Sequence, residues 1–123
     1  MSKSREHPQS LADRYAAVWN EADPAARRQM IAALFAPDGA HYVDTREARG
    51  YAALEQRVTG SYEKNVRDRG NRFRAVPNAQ ALRDAVTFNW EMVAPDGRVL
   101  AVGLELVLRG DEGIAVDYQF IIA

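Results

Sequence analysis

Two rhythms of apolar residues divide the chain. Up to about residue 70 they recur at helical spacing, and beyond it they alternate. Leu11, Tyr15, Val18 and Trp19 share one face of a first helix, with Ser10 placed to cap it and Asp13 three positions on as a capping-box partner. Asp23-Pro24 restarts the chain as an N-cap followed by proline at the first helical position. This second helix runs to about Phe35, with Met30, Ile31, Leu34 and Phe35 inward. Pro37-Asp38-Gly39 carries turn chemistry, His41–Asp44 reads as a short strand, and Thr45–Arg49 as a charged loop. Tyr51, Leu54, Val58 and Tyr62 mark a third helix, weakened toward its end by Gly60. Residues 1–9 are polar and read as a flexible tail, which leaves 10–123 as one domain.

The second half is a meander. Arg72–Val76 is a short strand closed by Pro77-Asn78. Val86, Phe88, Trp90 and Met92 alternate along the next strand, and Pro95-Asp96-Gly97 turns it. Leu100, Val102, Leu104, Leu106 and Leu108 share one face of its successor, Gly110–Gly113 turns again, and Ile114, Val116, Tyr118, Phe120 and Ile122 share one face of the last strand. Helices first and strands afterwards give an α+β domain: three N-terminal helices packed on one face of a curved antiparallel sheet.

The very apolar stripes are expected to meet the helices. The opposite faces carry Thr87, Asn89, Glu91, Gly103, Glu105, Val107, Asp117, Gln119 and Ile121. That mixture suits a homodimer interface formed sheet to sheet. Three helices are few for so wide a sheet, so a cone with an open end, and hence a ligand cavity, is expected. Trp19, Tyr42, Phe88, Trp90 and Tyr118 are the candidates to line it, since tyrosine and tryptophan bring a polar handle that a pure core must satisfy.

Composition narrows the chemistry. In 123 residues there is no cysteine, so no disulfide framework, thiolate metal site or cysteine nucleophile is available. Two histidines, one of them His7 in the polar tail, make a histidine-built metal centre improbable, and no metal or cofactor is expected. Sixteen Lys plus Arg against seventeen Asp plus Glu leave a net charge of −1, which argues against nucleic acid as a partner and agrees with an uncharged, apolar small molecule. The longest apolar run, Met30–Ala36, is too short to span a bilayer, and the N-terminus has no apolar signal region, so a cytoplasmic protein without a membrane partner is expected.

Arg14-Tyr15, Asn20, Asp23, Ala33-Leu34-Phe35-Ala36, Asp38, Ala40 and Asp44 follow in an order that resembles the SnoaL-like and ketosteroid-isomerase-like proteins of the nuclear transport factor two superfamily. Phe88-Asn89-Trp90, Pro95-Asp96-Gly97-Arg98, Gly103-Leu104-Glu105-Leu106 and Gly113-Ile114 extend the resemblance to nearly the whole chain. It implies a cystatin-like cone, and does not by itself imply one reaction. In the isomerases of that group a tyrosine and a protonated carboxylic acid stabilise an enolate while an aspartate moves the proton. Position by position, the resemblance implies Tyr15 for the tyrosine, Asp44 for the proton-transfer aspartate and Glu105 for the acid, although Glu105 is longer than the family's aspartate.

Alternation turns Glu105 away from the Leu104-Leu106-Leu108 stripe, so it reaches the cavity only through a β-bulge near Gly103 and otherwise belongs to the dimer face. Asp44 reads equally as a turn residue. His41 reads as a surface or packing residue, Asp117 and Gln119 as interface, and the Arg67, Arg69, Arg72 and Arg74 cluster as a solvated strand edge. Two functions follow: a cofactor-free isomerase or cyclase working next to a carbonyl, or a non-catalytic binder of hydrophobic ligands or protein partners.

Overall fold

The structure is a computed structural model, and it describes residues 5–123. Helices α1 (Pro8–Asn20), α2 (Pro24–Leu34) and α3 (Tyr51–Ser61) alternate early with strands β1 (Phe35–Val43) and β2 (Arg46–Arg49). A π-type helical turn, Tyr62–Arg67, extends α3. Strands β3 (Arg72–Ala75), β4 (Gln80–Leu82), β5 (Ala85–Val93), β6 (Val99–Gly110) and β7 (Gly113–Ile121) follow. The sheet order is β2-β1-β7-β6-β5-β3, with β4 also paired to β5. All pairs are antiparallel except β1 with β7, which run parallel. The α+β cone expected from the sequence is therefore present, with one parallel seam.

Local chemistry explains the helix starts. Asp23 caps α2 by accepting from the backbone N–H groups of Ala25 and Ala26, with Pro24 at the first turn. α1 begins at Pro8 rather than after Ser10: the His7 ring accepts from the Gln9 N–H, and the Ser10 hydroxyl donates to Glu6 instead. Of the tail expected over 1–9, residues 5–9 are tied down, Arg5 by Asp84 and Glu6 by Arg14, and the Glu6 carbonyl accepts from Arg109. The rest of that expectation, residues 1–4, lies outside the described residues. Pro37-Asp38-Gly39 is not a turn between elements but an irregular stretch within β1, where the register against β7 shifts between Phe35 and Ala40. Thr45–Arg49, expected as a loop, supplies β2.

The larger correction concerns which sheet face is inside. Val86, Phe88 and Trp90 of β5 do pack under the helices, against Leu11, Tyr15 and Val18 of α1, Ile31 and Leu34 of α2, and Leu54 and Val58 of α3. On β6 and β7 the expected faces are reversed. Antiparallel partners share a face, and the register pairs Phe88 with Glu105 and Glu105 with Gln119. The mixed face of β6 and β7 therefore lies under the helices, and the leucine stripe lies outside. No bulge near Gly103 is involved: β5–β6 pairing is regular from Ala85 to Met92.

Gly103 has a different reason. A Cβ there would lie inside the van der Waals envelope of the Trp90 indole, which crosses over the glycine to reach Glu105. Gly103→Ala is expected to displace that ring and cost about 2–4 kcal/mol, as an overpacked core and a broken buried hydrogen bond together. Urea denaturation reads the stability, and near-UV circular dichroism reads the tryptophan; unchanged values for both would remove this account of the glycine.

Candidate active site

The helices leave the wide end of the cone unfilled, and the space is a cavity of about 670 Å³. Its walls are mostly apolar or aromatic, among them Trp19, Phe73, Trp90 and Met92, while Tyr15, His41 and Gln119 put polar groups onto its inner surface. Tyr15 comes from the middle of α1, His41 from β1, and Gln119 from β7. The parallel seam brings His41 opposite Asp117 and Val43 opposite Gln119.

Beneath that surface lies a cluster of buried ionisable groups: His41, Glu105 and Asp117 are at most 1% exposed, and Tyr15 2%. The Tyr15 hydroxyl donates to Asp117 Oδ2 at 2.7 Å, and the Trp90 indole N–H donates to Glu105 Oε1 at 2.8 Å. Glu105 Oε2 and Asp117 Oδ1 have no hydrogen-bond partner. Burial pushes the Glu105 carboxyl well above the usual carboxylate range, and the Asp117 charge and a hydrogen bond to it push in the same direction. Glu105 is thus the carboxyl driven to hold a proton, beside the Asp117 charge. Burial also raises the Tyr15 phenol well above its ordinary value, with the Asp117 charge next, so Tyr15 stays protonated as a donor.

Donor and acceptor roles can be followed along the wall. Arg57, on α3, is an obligate donor and lies 3.0 Å from His41 Nδ1. That nitrogen must accept, so the imidazole proton sits on Nε2. It donates to Gln119 Oε1 at 3.0 Å, leaving the Gln119 amide N–H groups as donors. His41 Nε2 also lies 3.8 Å from Asp117 Oδ2.

His41, Glu105 and Asp117 are the described residues that come nearest to a metal ligand set, with one ligand atom from each within 4.8 Å of the others. Their chemistry does not fit a cation. His41 Nδ1 already faces the positive Arg57, His41 Nε2 carries its proton toward Gln119, and one carboxyl is protonated. The donor set suits proton sharing instead.

Of the catalytic residues suggested by sequence, Tyr15 and Glu105 come together around Asp117, and Asp44 does not join them. Asp44 is exposed, off the cavity, with φ of 53° in the two-residue turn between β1 and β2. That left-handed position favours Asp or Asn for turn geometry alone, so the turn reading of Asp44 replaces the base reading. Among the ligand-binding candidates, Trp19 and Trp90 line the cavity. Phe88 is core, edge-on against Tyr15. Tyr42 and Tyr118 stack on each other on the outer face, 5.6 Å apart, away from the cavity. His41, Asp117, Gln119 and Arg57 were not expected in the site. The signal for two of them was the hairpin register: counting back from Pro95-Asp96-Gly97 and from Gly110–Gly113 sets Glu105 beside Phe88, then Gln119 and Asp117 on the same face. The Arg67, Arg74 cluster is a surface network, paired to Asp68, Glu63 and Glu91.

No protein-family model matches the chain, and no curated protein does either. Solved structures do. A proposed isomerase of the SnoaL-like family from Agrobacterium tumefaciens aligns over 94% of this chain and 97% of its own, with a TM-score of 0.86 and 22% identity. A proposed ketosteroid isomerase from Kribbella flavida aligns over 94% of this chain and 78% of its own, with a TM-score of 0.70 and 15% identity. A proposed polyketide cyclase from Sinorhizobium meliloti aligns over 90% and 94%, with a TM-score of 0.67 and 12% identity. At these identities the likeness is one of fold. No described helix is long and apolar enough to cross a membrane.

The shared proton makes a pH prediction. Glu105 has a folded-state pKa raised above its ordinary 4.5, so its contribution is fully present at low pH. It is lost as pH climbs from that ordinary value through the raised one, at about 1.4 kcal/mol per pH unit while the fold holds the extra proton. Glu105→Gln keeps an acceptor for Trp90 and a donor for Asp117 without the titration. The variant is expected to be more stable than the wild type at pH 8, by a margin that shrinks toward pH 5, in urea titrations at both values. A margin independent of pH would place the proton elsewhere.

Proposed function

Because this chain has the fold of the SnoaL-like and ketosteroid-isomerase-like proteins, we propose that it is a cofactor-free isomerase or cyclase acting on a small molecule with an acidic C–H next to a carbonyl. One observation carries the reading: a cluster of buried ionisable groups, two of its carboxyl oxygens without hydrogen-bond partners, lies at the base of a cavity walled by apolar and aromatic side chains. Burying polar atoms without partners costs about 1–3 kcal/mol each, and ordinary core packing gives no return for it. Sites that move protons do concentrate such groups.

In this reading His41 is the base. Imidazole is the side chain suited to taking and returning a proton near neutrality. The substrate C–H bond breaks, its electron pair forms the enolate C=C as the carbonyl pair moves to oxygen, and the proton passes to His41. Asp117, 3.8 Å from Nε2, offsets the imidazolium charge. The free Gln119 amide N–H groups on the cavity wall face the developing oxyanion, a role of electrostatic preorganisation. Tyr15 and protonated Glu105 hold Asp117 in place. Return of the proton to a different carbon completes an isomerisation; attack of the enolate on a second carbonyl forms a C–C bond and an alkoxide, and return of the proton from His41 to that oxygen completes a cyclisation.

The outer face of the sheet is proposed to pair with a second copy of the chain. Leu104, Leu106 and Leu108 lie there beside Phe120, Tyr118 and Val116, with Tyr118 40% and Phe120 51% exposed. A contiguous apolar patch of this kind on a sheet is a protein interface more often than bare surface. This is the reverse of the mixed face first expected to dimerise.

Two measurements test these readings. A tetralone bearing a carboxylate should exchange its α-protons in D₂O faster with the protein present, by NMR. His41→Gln should lower that rate by about 10²–10⁴-fold, and Asp44→Asn should leave it unchanged. A wild type that binds the ketone without speeding exchange is a binder and not an isomerase. Light scattering should give twice the 13.7 kDa chain mass, and Phe120→Lys should return it to the monomer value; a wild-type monomer at tens of micromolar would overturn the dimer.

A further inference from the structure

Positive charge on the cavity wall has no counterpart in the fold. Arg57, Arg46 and Lys64 all line the cavity. None of them belongs to an ion pair among the described residues. Glu47 is the one carboxylate on the lining, and it is occupied by the Tyr42 hydroxyl and by Arg49. Arg57, partly buried, donates to the neutral ring of His41. A guanidinium is always charged and its fork geometry suits carboxylate or phosphate. Partial burial, and next the charge of Arg46, lower the Arg57 pKa, the direction expected of a cation set aside from its counter-ion.

The overall charge of −1 conceals this local excess. The deeper walls are apolar, with Trp19, Trp90 and Phe73 presenting rings. The space therefore fits a molecule with two ends: a flat apolar body against the aromatic wall and an anionic group near α3.

We propose that the ligand of this cavity carries a carboxylate or phosphate that binds Arg57, assisted by Arg46, and that its arrival draws Arg57 away from His41 Nδ1. Two consequences follow from the hydrogen bonds in place. Without the anion, Nδ1 is capped by a cation and cannot accept a proton. With the anion bound, Nδ1 is free, and the positive field that opposed an imidazolium is neutralised by the ligand itself. The substrate supplies the group that switches on the base, so an uncharged ketone of the same shape would bind and react poorly. The uncapping half of the proposal rests on His41 as the base; the anion preference does not.

The test uses three probes of one shape on the intact protein: naphthoate, naphthyl phosphate and naphthamide. Isothermal titration calorimetry is expected to show at least one anion binding about tenfold or more tightly than the amide, the scale of one charge-assisted contact. The tighter of the two anions identifies which group the site takes. Arg57→Gln should abolish the preference, and Arg57→Lys should restore part of it. The ¹⁵N signal of His41 Nδ1 should move when the preferred anion binds to the wild type, and should stay in place with naphthamide.

Equal affinity of the wild type for amide and anions, or a preference unaltered in Arg57→Gln, overturns the proposal. A preference with a stationary His41 signal overturns the uncapping. Absence of binding by all three probes overturns both this proposal and the cavity as a ligand site. An anion preference in a protein that binds the tetralone carboxylate and never exchanges its protons overturns the isomerase reading and the uncapping, and leaves the anion site standing.

Discussion

Cross-strand register across β5, β6 and β7 is the constraint on which everything else in this molecule rests. It lines up Phe88, Glu105 and Gln119 in one row beneath the helices, and Val86, Val107 and Asp117 in the next. Side chains alternate with period two, so a slip of one residue in either hairpin would exchange the buried carboxyls for leucines and tyrosines. The parallel seam then adds His41 opposite Asp117. A polar site at the floor of an apolar cone is thus a property of pairing, and the helices merely roof it.

Within that frame the electrostatics run from fixed donors to adjustable acceptors. Arg57 can only donate, which sets the His41 tautomer, which sets the Gln119 amide orientation. On the other side, Tyr15 and Trp90 donate to the carboxyl pair, which leaves one oxygen on each acid without a hydrogen-bond partner. The two halves meet where His41 approaches Asp117. The site therefore has one excess proton and one excess cation, set at opposite ends of the same few side chains.

Much of this was legible in the amino-acid sequence. The two apolar periods separate helices from strands, Asp23-Pro24 marks the start of α2, and Pro95-Asp96-Gly97 marks the β5–β6 turn. Tyr15, Glu105, Trp19 and Trp90 were recognisable as candidates. What misled was the rule that the most apolar stripe faces the core. On β6 and β7 the leucines and aromatics face outward, and the inner face carries Glu105, Gln119 and Asp117 instead. His41 failed for a related reason: a single histidine on a short strand says nothing of its neighbours until a strand 76 positions later is paired with it, since the partner of His41 is Asp117. Asp44 shows the opposite error, a carboxylate at a plausible place whose left-handed backbone already accounts for it.

The parallel seam also bears on how the molecule is made. Antiparallel hairpins such as β5–β6 and β6–β7 close over short turns, whereas β1 must wait for the last strand of the chain before it finds its neighbour. Long loops of this kind close late because their entropy must be overcome before any contact rewards them. Asp117 and Gln119, the partners of Tyr15 and His41, both sit on β7. The contacts between His41, Tyr15, Glu105 and Asp117 therefore depend on the longest-range strand pairing in the sheet.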